Sequence, residues 1–364
     1  MKSKKFQIVA ALILGGFCLY LFSQSIDDWS VVWAHMSQVH IGYFLLAIAV
    51  QVLSMLIRTI RWQIFLGQPL VPLGKLFLIN NIGFMANGVL PARMGELIRP
   101  FLVWRSSTHA FSTALATIIM ERVFDLLGLL LILAFVFWIY PFPAAPPAGA
   151  DFSQPITAIN GASAPQIANP LDWIEGIAKM GVFVFIALIG AIGVMSYAPE
   201  WSLRTAEKLF RPLPQKISRP MLKAVESFEK GASTLRRPLA ILYCILLTLL
   251  LWISVTWSEL VIFWSLDITI ISMTGALFVM AGLCFAVMFP QMPGYVGMYH
   301  FALLVILNRT FFIEKNTAGA AAWVMWLSQV PPTILFGFIC LVIMGVSFKE
   351  ISHIQDRLPA NEEK

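Results

Sequence analysis

Charge is what this sequence has least of. Only 12% of its 364 residues are Asp, Glu, Lys or Arg, against about 25% in soluble domains. That scarcity, with 59% hydrophobic residues and a mean hydropathy of +0.81, excludes an ordinary soluble fold and points to a polytopic helical membrane protein. Cysteine is also sparse. Cys18, Cys244, Cys284 and Cys340 all lie in apolar runs without metal or redox spacing, so they read as small buried hydrophobes. There is no Gly-rich phosphate loop, no metal-ligand array and no nucleophile–base pair at a recognisable spacing. No cofactor is therefore expected. The net charge of +6 does not suggest nucleic acid, because the basic residues sit in short segments between apolar runs.

What is present is an alternation of apolar runs and short polar segments. Six full spans are expected: 6–22, 41–57, a long helix ending near Tyr140, 180–197, 239–264 and 318–346. The first, behind a basic N-terminus, exceeds the ~7–15 apolar residues of a signal peptide core, which favours a retained helix. Arg58 and Arg61-Trp62 read as a charged and aromatic anchor at the end of the second span. Residues 141–176 form a Pro/Ala-rich stretch without Lys or Arg, expected to be an exposed outer loop. Residues 200–237 carry nine basic residues and read as a cytoplasmic segment lying on anionic headgroups. The expected organisation is an integral membrane domain over 1–348 and a polar cytoplasmic tail over 349–364.

Two apolar runs are broken in the middle. In 80–105, Asn87-Gly88 is a turn signal and Pro91 suits the first turn of a helix. The reading is a hairpin whose first helix ends near Ala86 and whose second starts near Pro91, with Arg93, Glu96 and Arg99 on one side of it. A second hairpin spans 273–312, broken at Pro290 and at Pro293-Gly294. If both return to the side they entered, 21 of the 25 basic residues fall on one side. The positive-inside rule then puts both termini in the cytoplasm, and the two re-entrant hairpins enter from opposite faces.

Irregular backbone at that depth needs burial in protein or a wet cavity. Returning half-helices aim free N–H groups inward, a way to bind an anionic headgroup. Arg93, Glu96, Arg99, Glu121, Arg122 and Asp125 lie in or beside apolar segments. At ~3 kcal/mol each, six lipid-exposed charges would cost roughly 18 kcal/mol, more than the ~5–15 kcal/mol by which proteins are stable. They must be paired, hydrated or interfacial. One reading has Glu121, Arg122 and Asp125 pairing with Arg93 or Arg99 in a polar cavity; the other has all six anchoring helix ends at the cytoplasmic interface. His300 is either a proton carrier or a packed residue, and Glu259 either couples transport to protons or bonds a neighbouring helix. Tyr295 and Tyr299 are expected to line the second break.

The ordered set Arg58-x-x-Arg61-Trp62, Asn87-x-x-Leu90-Pro91-x-Arg93-x-Gly95-Glu96-x-x-Arg99-Pro100, Glu121-Arg122-x-x-Asp125 and Pro290-x-x-Pro293-Gly294-x-x-Gly297 resembles the lysylphosphatidylglycerol synthase transmembrane (flippase-domain) family of prokaryotic membrane proteins. The resemblance covers most of the chain, from Ile41 to Val346. It implies a flippase-type fold in the cytoplasmic membrane with a central headgroup cavity. In relatives that aminoacylate phosphatidylglycerol a soluble synthase domain follows. This sequence ends at Lys364, so aminoacyl transfer is not expected of it. Tyr295 stands where the family's second hairpin often has a further Gly. The leading expectation is a flippase or lipid-linked transporter for an anionic-headgroup lipid. Its binding residues would be Asn87, Arg93, Glu96, Arg99, Glu121, Arg122, Asp125, Pro293, Gly294, Gly297 and Tyr299. The alternatives are a membrane-embedded transferase using a carboxylate such as Glu96 or Asp125 as base, and a non-catalytic partner of a separate lipid-modifying enzyme.

Overall fold

The computed structural model describes residues 2–90, 93–139, 199–210, 238–287 and 292–352, together with Ser218 and Leu222. Among these there are helices and turns but no strands. The helices are α1 (Lys2–Ser25), α2 (Trp29–Ser37), α3 (Ile41–Leu66), α4 (Leu73–Val89), α5 (Gly95–Ser106), α6 (Phe111–Ile139), α7 (Pro199–Phe210), α8 (Pro238–Ser265), α9 (Met273–Ala286), α10 (Met298–Phe311), α11 (Lys315–Ile343) and α12 (Phe348–Ser352), with a 3₁₀ turn at Pro293–Tyr295. Four helices are long and apolar enough to cross a membrane: 41–66, 111–139, 239–265 and 315–343. Shorter apolar helices accompany them, and the chain is an all-helical, multi-pass membrane protein. The expected span at 180–197, the outer loop, most of the basic segment and the tail beyond Ser352 lie outside the described residues.

The apolar side chains gather into two bodies. One takes Phe22 of α1, Val32 of α2, Leu129–Val136 of α6 and most of the buried side chains of α9, α10 and the first half of α11. The other takes Trp62 and Phe65 of α3, the buried faces of α4 and α5, Ile118–Leu127 of α6, and Cys340 and Leu341 near the end of α11. Several helices run through both. On α3 the change from one body to the other falls between Ala47 and Trp62, and on α11 between Met325 and Cys340. Polar residues collect at that boundary.

Each hairpin is fastened at its base to a different end of the bundle. At one end the Lys75 ammonium in the first turn of α4 donates to the Ser106 carbonyl at the end of α5 (2.6 Å), and Arg105 pairs with Glu350 of α12. At the other end Ser272 caps α9 by accepting from the Gly275 N–H (3.2 Å). There also the Asn316 side chain accepts from the N–H groups of Asp27 and Asp28, both at 3.1 Å. The tips meet in the middle, where Arg93 donates to the Val287 carbonyl.

The first hairpin departs from expectation in its break. α4 runs through Asn87-Gly88 to Val89, and α5 starts at Gly95. Arg93 has a left-handed φ of 52° and lies before α5, so it shares no helical face with Glu96 and Arg99. The reason is a cross-hairpin cap: the Asn87 side chain accepts from the Gly95 N–H (2.9 Å). A Cβ on Gly95 would overlap the Gly83 carbonyl and that same oxygen, so only glycine permits this approach. Asn-Gly here serves the next helix rather than a turn of its own.

Candidate functional site

The polar boundary is an ion network between α3, α5 and α6. Asp125 is the middle residue of the 29-residue α6, about 21 Å from either end at 1.5 Å per residue. It accepts from Arg61 (2.6 Å) and Arg58 (3.1 Å). Glu121, one turn earlier and fully buried, accepts from Arg99 at 2.7 and 3.3 Å and from Arg58 at 3.5 Å. Arg122 bridges Glu96 (3.1 Å) and Asp125 (3.4 Å). Spacing explains the division of labour: residues four apart on α6 share a face, so Glu121 and Asp125 look toward the same arginines.

Aromatic rings and hydroxyls complete the network. The Arg99 guanidinium lies 4.2 Å from the centre of the Trp62 ring, and that of Arg58 4.9 Å from Phe84, distances at which the ring face attracts a cation. Trp62 in turn donates to Thr117 (2.9 Å) and Arg61 to Thr248 of α8 (2.7 Å). A planar guanidinium can serve two carboxylates and a ring at once, which a lysine could not. The described cluster counts five arginines (58, 61, 93, 99 and 122) against three carboxylates (96, 121 and 125). Two positive charges are in excess.

A cavity of about 260 Å³ opens beside this network, lined by Arg58, Arg93 and Arg122, by Asn87 and Glu96, and by Glu259, Tyr295, Tyr299 and Gln329. α11 carries Pro331 and Pro332 within its continuous helix beside the cavity, which removes two backbone donors. Val330, Thr333 and Ile334 of this stretch also line the cavity.

The sequence-predicted residues thus divide into three groups. Asn87, Arg93, Glu96, Arg122 and Tyr299 line the cavity. Arg99, Glu121 and Asp125 stand behind it in the ion network. Pro293, Gly294 and Gly297 are not among the residues lining this cavity and shape the second tip. Gly294 and Gly297 have φ of 73° and 88°, a Cβ on Gly297 would overlap the Gly15 carbonyl of α1, and Trp326 donates to the Gly294 carbonyl (2.7 Å). Tyr295 adopts φ of 59°, a conformation that glycine would take without strain.

The arginines of α3 overturn an expectation. Arg58 and Arg61 are not an interface anchor: α3 continues to Leu66, and Arg61 and Trp62 are fully buried. The pairing of the α6 carboxylates is carried mainly by these two and Arg99, while Arg93 pairs with none of them among the described residues. The signal was present in the sequence, because two arginines three apart followed by Trp62, Ile64, Phe65 and Leu66 place charge inside a helix. His300 takes the packed reading, between the rings of Trp323 (4.2 Å between centres) and Phe22 (5.5 Å).

No curated protein and no solved structure matches the chain. Residues 7–337, nearly its whole length, match the family described as the lysylphosphatidylglycerol synthase TM region. The match is to the membrane region of that family, and no catalytic domain is identified by it. Together with the buried arginines of the motifs quoted above, this answers the question of kinship: the chain belongs to the lysylphosphatidylglycerol synthase TM region family.

Proposed function

We propose that this protein moves a lipid with an anionic headgroup between the leaflets of the cytoplasmic membrane. In this reading six spans cross the bilayer, both termini are cytoplasmic, and α4–α5 and α9–α10 are re-entrant hairpins from opposite faces. The observation that carries it is the cavity at the meeting of the two tips, bordered by Arg58, Arg93 and Arg122 and backed by a cluster with two positive charges in excess. An anionic headgroup would neutralise that excess; acyl chains have no counterpart in so small a space and would stay in the lipid. Arg93, exposed and pairing with no carboxylate among the described residues, donates to the Val287 carbonyl and is free to turn to a phosphate.

The test is purified protein in liposomes with a fluorescent anionic lipid, where a membrane-impermeant quencher reports the fraction in the outer leaflet. Exchange should exceed that of empty liposomes. It should fall about tenfold or more in Arg93→Ala, the loss of one charge-assisted hydrogen bond. Equal quenching with and without protein sinks the reading.

A second reading is favoured by the family match, which names the membrane region of a synthase: this chain is the membrane partner of a separate lipid-modifying enzyme. Co-purification of such an enzyme from cells, with no lipid exchange by the chain alone, would favour it.

A further inference from the structure

Among the described residues the cavity is lined by two carboxyl groups, Glu96 and Glu259. Glu96 pairs with Arg122 (3.1 Å), and Asp125 behind it pairs with Arg58, Arg61 and Arg122. Glu259 of α8 differs from both. It is 3% exposed and pairs with no cation among the described residues. The Gln329 side chain of α11 interacts with it, yet its Oε2 is buried without a hydrogen-bond partner among those residues. The titratable groups that its charge reaches from α10 and α9 are Tyr299 and Cys284, neither of them a cation. Arg58 of α3, Arg122 of α6 and Arg93 of the first hairpin line the same cavity. They are set apart along the bundle. Ser258, next to Glu259, donates to the Ala47 carbonyl of α3 (2.9 Å), about 16 Å before Arg58 at 1.5 Å per residue.

We propose that Glu259 is a proton-binding site that couples lipid exchange to proton movement. The inference rests on the lipid-translocation reading and adds the ion that drives it. A buried carboxylate without a partner is costly, and a proton on Oε2 removes the charge and gives that oxygen a donor. An anionic headgroup at the arginines puts a second negative charge into the same cavity. Two such charges about 10–16 Å apart, at an effective dielectric of about 20, repel enough to shift an equilibrium roughly six- to sixteenfold. The headgroup therefore strengthens the hold of Glu259 on a proton, and the proton strengthens headgroup binding by the same factor. The proton comes from water on one side of the membrane, forms an O–H bond on Glu259 and returns to water on the other side. One headgroup charge and one proton cross together, with no net charge moved.

The full chain in lipid nanodiscs would be titrated with fluorescent phosphatidylglycerol, a probe whose phosphodiester charge stays constant over the pH range used. Lowering the pH should tighten binding by the wild type about tenfold overall. Glu259→Gln keeps size and polarity beside Gln329, and should bind at every pH as the wild type binds in acid. An unchanged pH dependence in a Glu259→Gln protein of normal thermal stability overturns the proposal, as does weaker binding by it than by the wild type at high pH. In liposomes an imposed pH gradient should drive the same probe toward the alkaline leaflet in the wild type and not in Glu259→Gln. A wild type that exchanges the probe but ignores the gradient overturns the coupling, and so does a bias that requires sodium and vanishes in choline. Absence of any exchange is a separate result that sinks the translocation reading beneath, while the nanodisc titration still decides whether headgroup and proton bind together.

Discussion

Replacing Glu121 by Gln keeps shape and removes one charge from the middle of the ion network. In the native protein Arg58, Arg61 and Arg99 face Glu121 and Asp125, so this inner group carries one net positive charge. The substitution raises it to two and leaves Arg99 without the one carboxylate it meets among the described residues. At an effective dielectric of about 20, unit charges at the 2.7 Å of the Arg99–Glu121 contact attract by about 6 kcal/mol. Desolvation takes part of this back. Breaking one member out of a buried pair usually costs about 3–5 kcal/mol net. A chain of this size shifts its melting temperature by about 2 °C per kcal/mol, so Glu121→Gln should melt roughly 6–10 °C lower, followed by size exclusion after heating in detergent. The double variant Glu121→Leu/Arg99→Met restores the inner charge to one and leaves no unpaired ion. It should be clearly more stable than Glu121→Gln despite carrying two changes. A loss below about 1 kcal/mol in the single variant, or a double variant that melts still lower, would refute the claim that pairing holds these charges in place.

Other expectations follow from single contacts. Asn87→Ala removes the cap on α5 and should cost about 1 kcal/mol, visible as a melting point about 2 °C lower. Gly95→Ala should do more damage than Gly16→Ala, because a Cβ at Gly95 overlaps the Gly83 carbonyl while one at Gly16 meets nothing; comparing yields of folded protein separates them. At the α2 end, the Ser30 hydroxyl and backbone N–H hold the Asp28 carboxyl below its ordinary range. Its capping contribution is therefore complete above the unfolded pKa of about 3.9 and fades as pH falls through the lower folded value. Asp28→Asn should make the acid limb of the stability profile shallower, as read by melting at graded pH.

The apolar periodicity and the two broken runs gave away the membrane class and both hairpins, since lipid leaves backbone few choices. Helix ends were less legible. The first helix of the hairpin runs through Asn87-Gly88 to Val89 and the second starts at Gly95, because the Asn87 side chain is used by a neighbour in space, which local turn chemistry cannot show. The α6 carboxylates were visible as charges in an apolar run, and their need for partners followed from burial cost alone. The identity of the partners did not follow. Arg58 and Arg61 read as interfacial because two charges break the apolar run there, whereas the helix runs eight residues past Arg58. Nor could pattern alone bring Glu259, Tyr299 and Gln329 to one wall, since they lie on three helices and meet only through packing.

The glycine contact inside the first hairpin has a mechanical consequence. With the Gly95 backbone against the Gly83 carbonyl and Asn87 stitched across, the two limbs have no room to slide or scissor. They tilt together, as a lever hinged at the Lys75–Ser106 end. Any opening of the cavity must then occur along the seam between the two hairpins, where Arg93 donates to the Val287 carbonyl.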